Sequence, residues 1–173
     1  MAIDRKAFYQ LTYGVFLLTA KRDGKDNGCI VNTVIQSASD PRLLSVCCIK
    51  GNLTQEMIQD TGEFNVSVLS EDTELEVFER FGSVSGHNVN KFPNPESEAR
   101  SENGLIYDPK ANALFSCKVT GSQDLGSHIM YNAEITEAQA LSSVPSMTYA
   151  GYQDAKRAAR EAAEGPAPTT GKV

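Results

Sequence analysis

Alternating apolar and polar positions run through most of this chain, and they predict a series of short β-strands. In Glu63–Leu69, for example, Phe64 and Val66 fall on one face of such a strand. Leu43–Ile49 is apolar at all but one position, which predicts a central strand covered on both faces. The other predicted strands are Val15–Thr19, Gly28–Ser39, Ala113–Gln123 and Ser127–Ala140.

Helices are predicted between the strands where apolar residues recur every three to four positions. The predicted ranges are Asp4–Tyr13, Asn52–Thr61, Thr73–Phe81 and Tyr152–Glu164. Asn52 with Gln55 resembles a capping box, and so does Thr73 with Glu76. The last helix carries mostly alanine at its apolar positions, so it can bury little surface alone. It is either surface decoration or a clasp on a partner chain.

Short strands with small helices in their connections predict an all-β barrel or sandwich. Neither G-x-G-x-x-G nor G-x-x-x-x-G-K-[ST] occurs, which excludes the Rossmann and P-loop types of nucleotide site. A length of 173 residues is typical of one domain. We expect that domain to occupy residues 1–150, and residues 151–173 to form a C-terminal helix and a flexible tail.

Composition narrows the range of partners. The formal net charge is −6 and there is no Trp or basic stripe, which argues against a nucleic-acid partner. No apolar run approaches the roughly 20 residues that a membrane span requires, so we expect no membrane partner. The N-terminal residues lack the apolar segment of a signal peptide, and we expect a cytoplasmic protein.

Cysteine usage predicts buried free thiols. The four cysteines all lie in apolar, strand-like runs: Cys29, Cys47, Cys48 and Cys117. None belongs to a C-x-x-C pair, and only two histidines, His87 and His128, could join them as metal ligands. We therefore expect no metal site, and thiols that pack as small apolar groups.

The segment Gly28–Ser39 is the first candidate for a ligand site. It alternates branched apolar residues with uncharged polar ones, which are Asn32, Thr33, Gln36, Ser37 and Ser39. Amides on a strand inside a barrel need hydrogen-bond partners, so simple packing does not account for this pattern. The segment suits a strand with one face toward a ligand.

The turn Lys50–Thr54 is the second candidate. Asn52 and Thr54 stand where a helix should begin, so free N–H groups and the positive end of the helix dipole could hold a phosphate there. The simpler alternative is that both residues only cap the helix, a role worth about 1 kcal/mol. Capping and phosphate binding are compatible, and the sequence leaves both open.

Several blocks, taken in order, resemble one known family. They are Leu11–Thr19, Gly28–Gln36, Asn52–Thr54, Phe64–Ser70, Phe81–Gly82, Ser85–Gly86, Asn90–Phe92, Asp124–His128 and Met147–Tyr149. No single block is specific, but together they span nearly the whole chain. The chain resembles the flavin reductase-like proteins with an FMN-binding split β-barrel, in particular the small archaeal ferric reductase and the flavin domain of high-molecular-weight rubredoxin.

The resemblance implies a Greek-key split β-barrel that forms a homodimer, with FMN near the subunit interface. It also implies an oxidoreductase that takes electrons from NADH or NADPH and passes them to flavin, a ferric chelate or a rubredoxin-type protein. FMN itself carries the hydride or the single electrons, so we expect no acid–base or nucleophilic catalytic residue.

The resemblance also implies a set of flavin-binding residues. It places Asn32, Thr33, Val34 and Gln36 along the ring edge and ribityl chain, Asn52, Thr54, His87 and Lys91 at the phosphate, and Gly126, Ser127 and His128 beside the ring. Without that context, Lys91 reads as a surface lysine and His128 as a polar strand end.

Three positions depart from the family. Cys29 stands where Gln is often found, His87 where Arg is often found, and Asn90 where an acidic residue is usual. A histidine in place of an arginine implies weaker and more pH-dependent phosphate binding.

Two alternative functions stay open. One is an FMN electron-transfer module without NAD(P)H activity, and the other is a structural dimeric barrel that binds no flavin. The residues Gly165–Val173 resemble a linker that leads into a rubredoxin domain in some relatives. No C-x-x-C follows here, so we expect any rubredoxin-type partner to be a separate protein.

Overall fold

The computed structural model describes residues 2–164. The strands of this part of the chain are β1 (Phe16–Arg22), β2 (Lys25–Val31), β3 (Val34–Ser39), β4 (Arg42–Ile49), β5 (Glu63–Val68), β6 (Ala113–Asp124) and β7 (His128–Ala140). Its α-helices are α1 (Leu53–Thr61), α2 (Leu75–Phe78) and α3 (Tyr149–Glu164). Two 3₁₀ helices, Arg5–Gln10 and Pro95–Ser97, and a π-helical turn at Glu79–Ser83 lie in the connections.

The strands form one antiparallel sheet in the order β2-β1-β5-β6-β7-β4-β3. Consecutive strands β1 and β2, β3 and β4, and β6 and β7 pair as neighbours, whereas β1 also pairs with β5, and β4 with β7. Within residues 2–164, β2 and β3 end the sheet without pairing with each other, so the sheet does not close. This architecture confirms the predicted all-β fold of the split-barrel type.

The main core lies between the curved parts of the sheet. Fully buried side chains from four different strands meet there, among them Leu18, Val46, Phe64, Val66 and Tyr131. Helix α1 packs against β1 and β2 and adds Leu53, Met57 and Ile58 to the same cluster. Each such large apolar side chain stabilises the fold by roughly 1.5–3 kcal/mol when it leaves water.

A second, smaller core lies under α2. Leu17 belongs to it, whereas the next residue, Leu18, belongs to the main core, because successive side chains of a strand point to opposite faces. Phe78 and Phe81 bring α2 and the π-helical turn onto this cluster. Tyr152 of α3 packs on Phe78 with the ring centroids 4.4 Å apart.

The candidate segment Gly28–Ser39 is two strands, and its prediction as one strand was wrong. It breaks at Asn32 and Thr33, so that β2 pairs with β1 and β3 pairs with β4. Because β2 and β3 lie at opposite ends of the open sheet, the segment cannot be one continuous strand, and the chain turns between the two. A tight hairpin joins β1 to β2, with its turn at Asp23 and Gly24, both at positive φ.

The long strands and the second helix agree with the sequence. Strands β4, β6 and β7 match their predicted ranges within one residue. Helix α1 begins after Asn52, whose Oδ1 accepts from Thr54 N at 2.9 Å, and it ends at Gly62 in the left-handed region. The other half of the predicted capping box does not form, because Gln55 Oε1 accepts from Gly51 N at 3.4 Å instead.

The remaining helices differ from their predictions. The first is a 3₁₀ helix, and its Phe8 is exposed, so the predicted apolar face has nothing to pack on. The predicted capping box at Thr73 is wrong, because α2 starts at Leu75 after Glu74 without a side-chain cap. Helix α3 begins at Tyr149, three residues early, and its side chains are mostly exposed from residue 153 to 163.

Two other predictions concern the ends of the chain. The predicted domain boundary at residue 150 falls inside α3 and stays a prediction, and the predicted tail, residues 165–173, lies outside the described residues. Among the described helices, none has both the length and the apolar character needed to cross a membrane.

Candidate functional site

A cleft of about 290 Å³ opens where the end of β2, the end of β4 and the start of β7 meet the beginnings of α1 and α3. Its lining residues are Cys29, Ile30, Val31, Asn32, Thr33, Cys47, Cys48, Ile49, Asn52, His128 and Tyr149. The cleft thus joins one predicted site segment, the break between β2 and β3, to the other, the turn before α1.

Electrostatically, the wall of this cleft is neutral. None of its lining residues is Asp, Glu, Lys or Arg, so hydrogen-bonding amides and hydroxyls alternate with apolar side chains. Sites for organic cofactors commonly combine apolar walls with a few polar groups that fix the orientation. The cleft therefore suits the uncharged part of an organic ligand better than a strongly charged group.

Asn32 and Thr33 lie at the break between β2 and β3. Thr33 Oγ1 donates to Asn32 Oδ1 at 3.1 Å, and Thr33 O accepts from Cys47 N at 3.1 Å. The second bond ties the break to β4, so both side chains are held at the cleft although they lie outside regular strands. Both are half-buried and accessible to a ligand.

Helix α1 points its N-terminus toward the cleft through Asn52. The first N–H groups of a helix have no intrahelical acceptor, and the helix dipole makes this end positive. Asn52 Oδ1 already accepts from one of them, Thr54 N. Thr54 itself is fully buried, and its Oγ1 accepts from Asn27 Nδ2 at 2.9 Å.

His128 opens strand β7 on the other side of the cleft. It pairs with Ile49 across the sheet, and its Nδ1 lies 2.9 Å from Ser127 Oγ. Ser127 O accepts from Lys50 N at 3.1 Å, while Gly126 adopts a positive φ of 87° in the turn before it. Gly126 and Ser127 are exposed and shape this turn, and only His128 of the predicted block lines the cleft.

Two predicted ring-edge residues lie away from the cleft. Val34 packs against the main core from the start of β3. Gln36 is exposed, and its Nε2 donates to Ala38 O at 3.3 Å. Their predicted contacts with a flavin stay predictions.

The two predicted cations have other partners. His87 is exposed, and its Nε2 lies 3.2 Å from Glu56 Oε1 in the first turn of α1. Lys91 is only 2% exposed, and its Nζ donates to Gly28 O at 2.9 Å and to Phe81 O at 3.2 Å. Burial lowers the pKa of the Lys91 ammonium. Lys91 thus ties its loop to β2, and its predicted phosphate role stays a prediction.

Sequence reasoning missed two features of the cleft. Tyr149 lines it from the start of α3, and the only signal for this residue was the block Met147–Tyr149. Cys29 and Cys48 were expected to pack separately as core thiols, yet their sulfur atoms lie 3.8 Å apart at the cleft. No spacing rule connects them, because they lie on strands that are far apart in the sheet order.

Comparison with known proteins decides the family. The family model for the flavin reductase like domain matches residues 8–159. The chain belongs to this family. Membership makes it a flavin-dependent oxidoreductase, and the match spans every strand of the split barrel.

Two named proteins are similar in sequence to this flavin reductase-like chain. The high molecular weight rubredoxin of Moorella thermoacetica is 36% identical over 156 residues, which cover 90% of this chain and 68% of the relative. The ferric-chelate reductase (NAD(P)H) of Archaeoglobus fulgidus is 32% identical over 155 residues, which cover 90% of this chain and 92% of the relative. Both names agree with the family resemblance noted from the sequence blocks.

Solved structures share the fold. A putative oxidoreductase from Sinorhizobium meliloti superposes with a TM-score of 0.75 at 26% identity, over 95% of this chain and 59% of that chain. An NADH:FAD oxidoreductase from Streptomyces globisporus superposes with a TM-score of 0.74 at 19% identity, over 87% and 93% of the two chains.

The lining of the cleft fits a flavin. A flavin ring needs apolar contacts on its faces and hydrogen bonds at its polar edge, and the neutral cleft offers Ile30, Ile49 and Asn32 for these purposes. A phosphate needs N–H donors, which the N-terminus of α1 supplies beside Asn52. Across residues 2–164, no three His, Cys, Asp or Glu side chains gather in a group that could hold a metal ion.

Proposed function

We propose that this chain is an FMN-dependent oxidoreductase that takes electrons from NADH or NADPH and passes them to flavin, a ferric chelate or a rubredoxin-type protein. The observation that carries the proposal is the neutral cleft with the N-terminus of α1 at its edge. The names of the two relatives support the choice of donor and acceptors.

The residues around the cleft divide into two groups. Asn32 and Thr33 would bond to the ring edge and the ribityl chain, and His128 would stand beside the ring. Asn52 and the first N–H groups of α1 would hold the phosphate. When bound, FMN supplies the hydride and single-electron chemistry, so the protein needs to bind, orient and shield it.

Glu56 competes with a phosphate for His87. His87 faces Glu56 at 3.2 Å, so it can reach a phosphate only by leaving that carboxylate. Both side chains are exposed, and such pairs cost little to separate. The phosphate would then depend chiefly on the helix N-terminus, which holds anions without a cation.

A second copy of the chain would complete the site. The cleft volume of about 290 Å³ is at the lower limit of sites for cofactor-sized ligands, which range from about 300 to 1,000 Å³. Ile49 and Tyr149 line the cleft and are nevertheless exposed, and Ile35 is exposed on the neighbouring strand β3. Apolar surface around a half-open cleft favours a homodimer in which the partner covers the flavin.

Spectroscopy of the purified protein tests this function. A protein with the absorbance bands of bound flavin that bleaches on anaerobic addition of NADH or NADPH supports it, and stopped-flow mixing with a panel of acceptors then ranks them. A flavin-containing protein that does not bleach is the electron-transfer module without NAD(P)H activity. A protein that stays colourless after incubation with FMN contradicts the proposal.

A matched pair of charge variants locates the binding site. Asn32→Asp places a carboxylate in a cleft whose lining has none, so FMN affinity should fall at least about tenfold. Asn94→Asp makes the same change at an exposed position outside the cleft, and affinity should not change. Equal affinities for the two variants by fluorescence titration would place the flavin elsewhere.

A further inference from the structure

Two buried thiols meet at the floor of the cleft. Cys29 of β2 and Cys48 of β4 are 3% and 1% exposed, and their sulfur atoms lie 3.8 Å apart. A disulfide bond is about 2.05 Å long, so the sulfurs would need to approach by only about 1.8 Å. The two strands lie at different ends of the sheet order, and this contact bridges them across the barrel.

The surroundings of the two sulfurs differ. The Cys48 thiol lies against the Cys29 sulfur, and the Thr54 side chain and the Lys91 ammonium lie near it. Thr54 Oγ1 already accepts from Asn27 Nδ2, so its own proton is free to point at the sulfur. These groups favour the thiolate of Cys29 and lower its pKa, although burial opposes the shift.

The pKa of Cys48 shifts in the opposite direction from that of Cys29. The contact with Cys29 and burial both raise the pKa of the Cys48 thiol. Of two neighbouring sulfurs, the one whose thiolate is more favoured reacts first and the other resolves the product. Both residues line the cleft, so a molecule small enough to enter the cleft has a path to them.

We propose that Cys29 and Cys48 form a redox-active dithiol whose substrate is a small hydroperoxide. The Cys29 sulfur attacks the terminal peroxide oxygen, the O–O bond breaks, and a sulfenic acid forms while water or an alcohol leaves. The Cys48 sulfur then attacks the sulfenic sulfur, the S–O bond breaks, and a second water leaves with the Cys48 proton. Two electrons pass from the thiols to the peroxide, and the product is the Cys29–Cys48 disulfide.

The wild-type protein provides the first test. It is reduced, freed of reductant, treated with hydrogen peroxide, denatured and titrated for thiols, and its peptides are mapped by mass spectrometry. Two of the four free cysteines should disappear, the mapped peptides should join Cys29 to Cys48, and dithiothreitol should restore both thiols. Four surviving thiols, or a crosslink that uses Cys47 or Cys117, would overturn the proposal. The test is run on the flavin-free protein, in which the cleft is open, so its outcome does not depend on the proposed function.

Serine variants separate the two roles. In Cys48→Ser the reaction should stop at a sulfenic acid on Cys29, which dimedone traps and mass spectrometry locates. Cys117→Ser is the matched control, because Cys117 is also buried but lies outside the lining of the cleft. That variant should form the disulfide at the wild-type rate. Disulfide formation that persists in Cys48→Ser would contradict the proposal, and circular dichroism checks that each variant is folded.

Discussion

Lys91→Met tests whether the buried lysine anchors its loop. The Lys91 ammonium donates to Gly28 O and Phe81 O, at 2.9 and 3.2 Å, from a side chain that is 2% exposed. Hydrogen bonds from a charged donor contribute about 1.5–3 kcal/mol each, and the loss is partly offset because methionine is cheaper to bury. We expect the free energy of unfolding to fall by about 3 kcal/mol.

Urea denaturation of the flavin-free protein measures this loss. For a chain of 173 residues, about 3 kcal/mol corresponds to a melting temperature lower by about 6–12 °C. Lys50→Met is the matched control, because Lys50 is exposed and pairs with the exposed Asp124, so stability should not change measurably. A Lys91→Met protein as stable as wild type without flavin, but with weaker FMN binding, would refute the anchor and favour the phosphate role.

The same variant predicts a pH dependence. In the folded protein, burial holds the pKa of Lys91 below 10.5, its ordinary value in an unfolded chain. At a pH between the folded-state and the unfolded-state pKa, the unfolded chain therefore binds more protons than the folded one. Stability contributed by this group therefore rises with pH through that window. The difference in unfolding free energy between wild type and Lys91→Met should widen as the pH approaches 10.5. If this difference becomes smaller as the pH rises, the expected sign of the pH dependence is wrong.

Substitutions at three further positions test the scaffold around the cleft. Asp26→Asn removes the charge of a buried carboxylate and one of the two 2.9 Å hydrogen bonds that it accepts from Arg100, and should cost about 3 kcal/mol in urea denaturation. A loss below about 1 kcal/mol would mean that Arg100 is held by its carbonyl partners alone. Asn52→Ala removes the cap of α1 and should cost about 1 kcal/mol and weaken FMN binding, whereas Asn52→Ser should restore both. If Asn52→Ala binds FMN as tightly as wild type, Asn52 caps the helix but does not contribute to phosphate binding. Tyr131→Phe removes a buried hydroxyl that accepts from Gln55 Nε2 at 2.9 Å, and we expect a loss of about 1 kcal/mol by thermal denaturation, so an unchanged melting temperature would contradict the bond.

The strands were predictable because their signal is local. Phe64 and Val66 alternate with polar neighbours, and Ile129, Tyr131 and Ala133 alternate with less buried residues in the first half of β7. The start of α1 was predictable for the same reason, since Asn52 caps a backbone N–H two residues away. In each case, the interacting groups are neighbours in the chain.

The site was only partly predictable. Asn32, Thr33, Asn52 and His128 were selected from the sequence and its family resemblance, and the fold gathers all four around one cleft. Gln36 was selected with them but lies outside the cleft, because Gly28–Ser39 breaks at Asn32 and Thr33 and Gln36 falls on the separate strand β3. The break lets the chain pass from β2 at one end of the open sheet to β3 at the other, and no residue pattern within the segment indicates it.

The amino-acid sequence by itself determined the kind of fold, the family and the chemical character of the cleft. These properties follow from residue types and short-range spacing, which are already present in the unfolded chain. The tertiary structure alone decided that Lys91 is buried against carbonyl groups, that His87 faces Glu56, and that the sulfurs of Cys29 and Cys48 meet. Each of these contacts joins residues from separate elements, so it depends on how the sheet curves and packs, which local patterns do not encode.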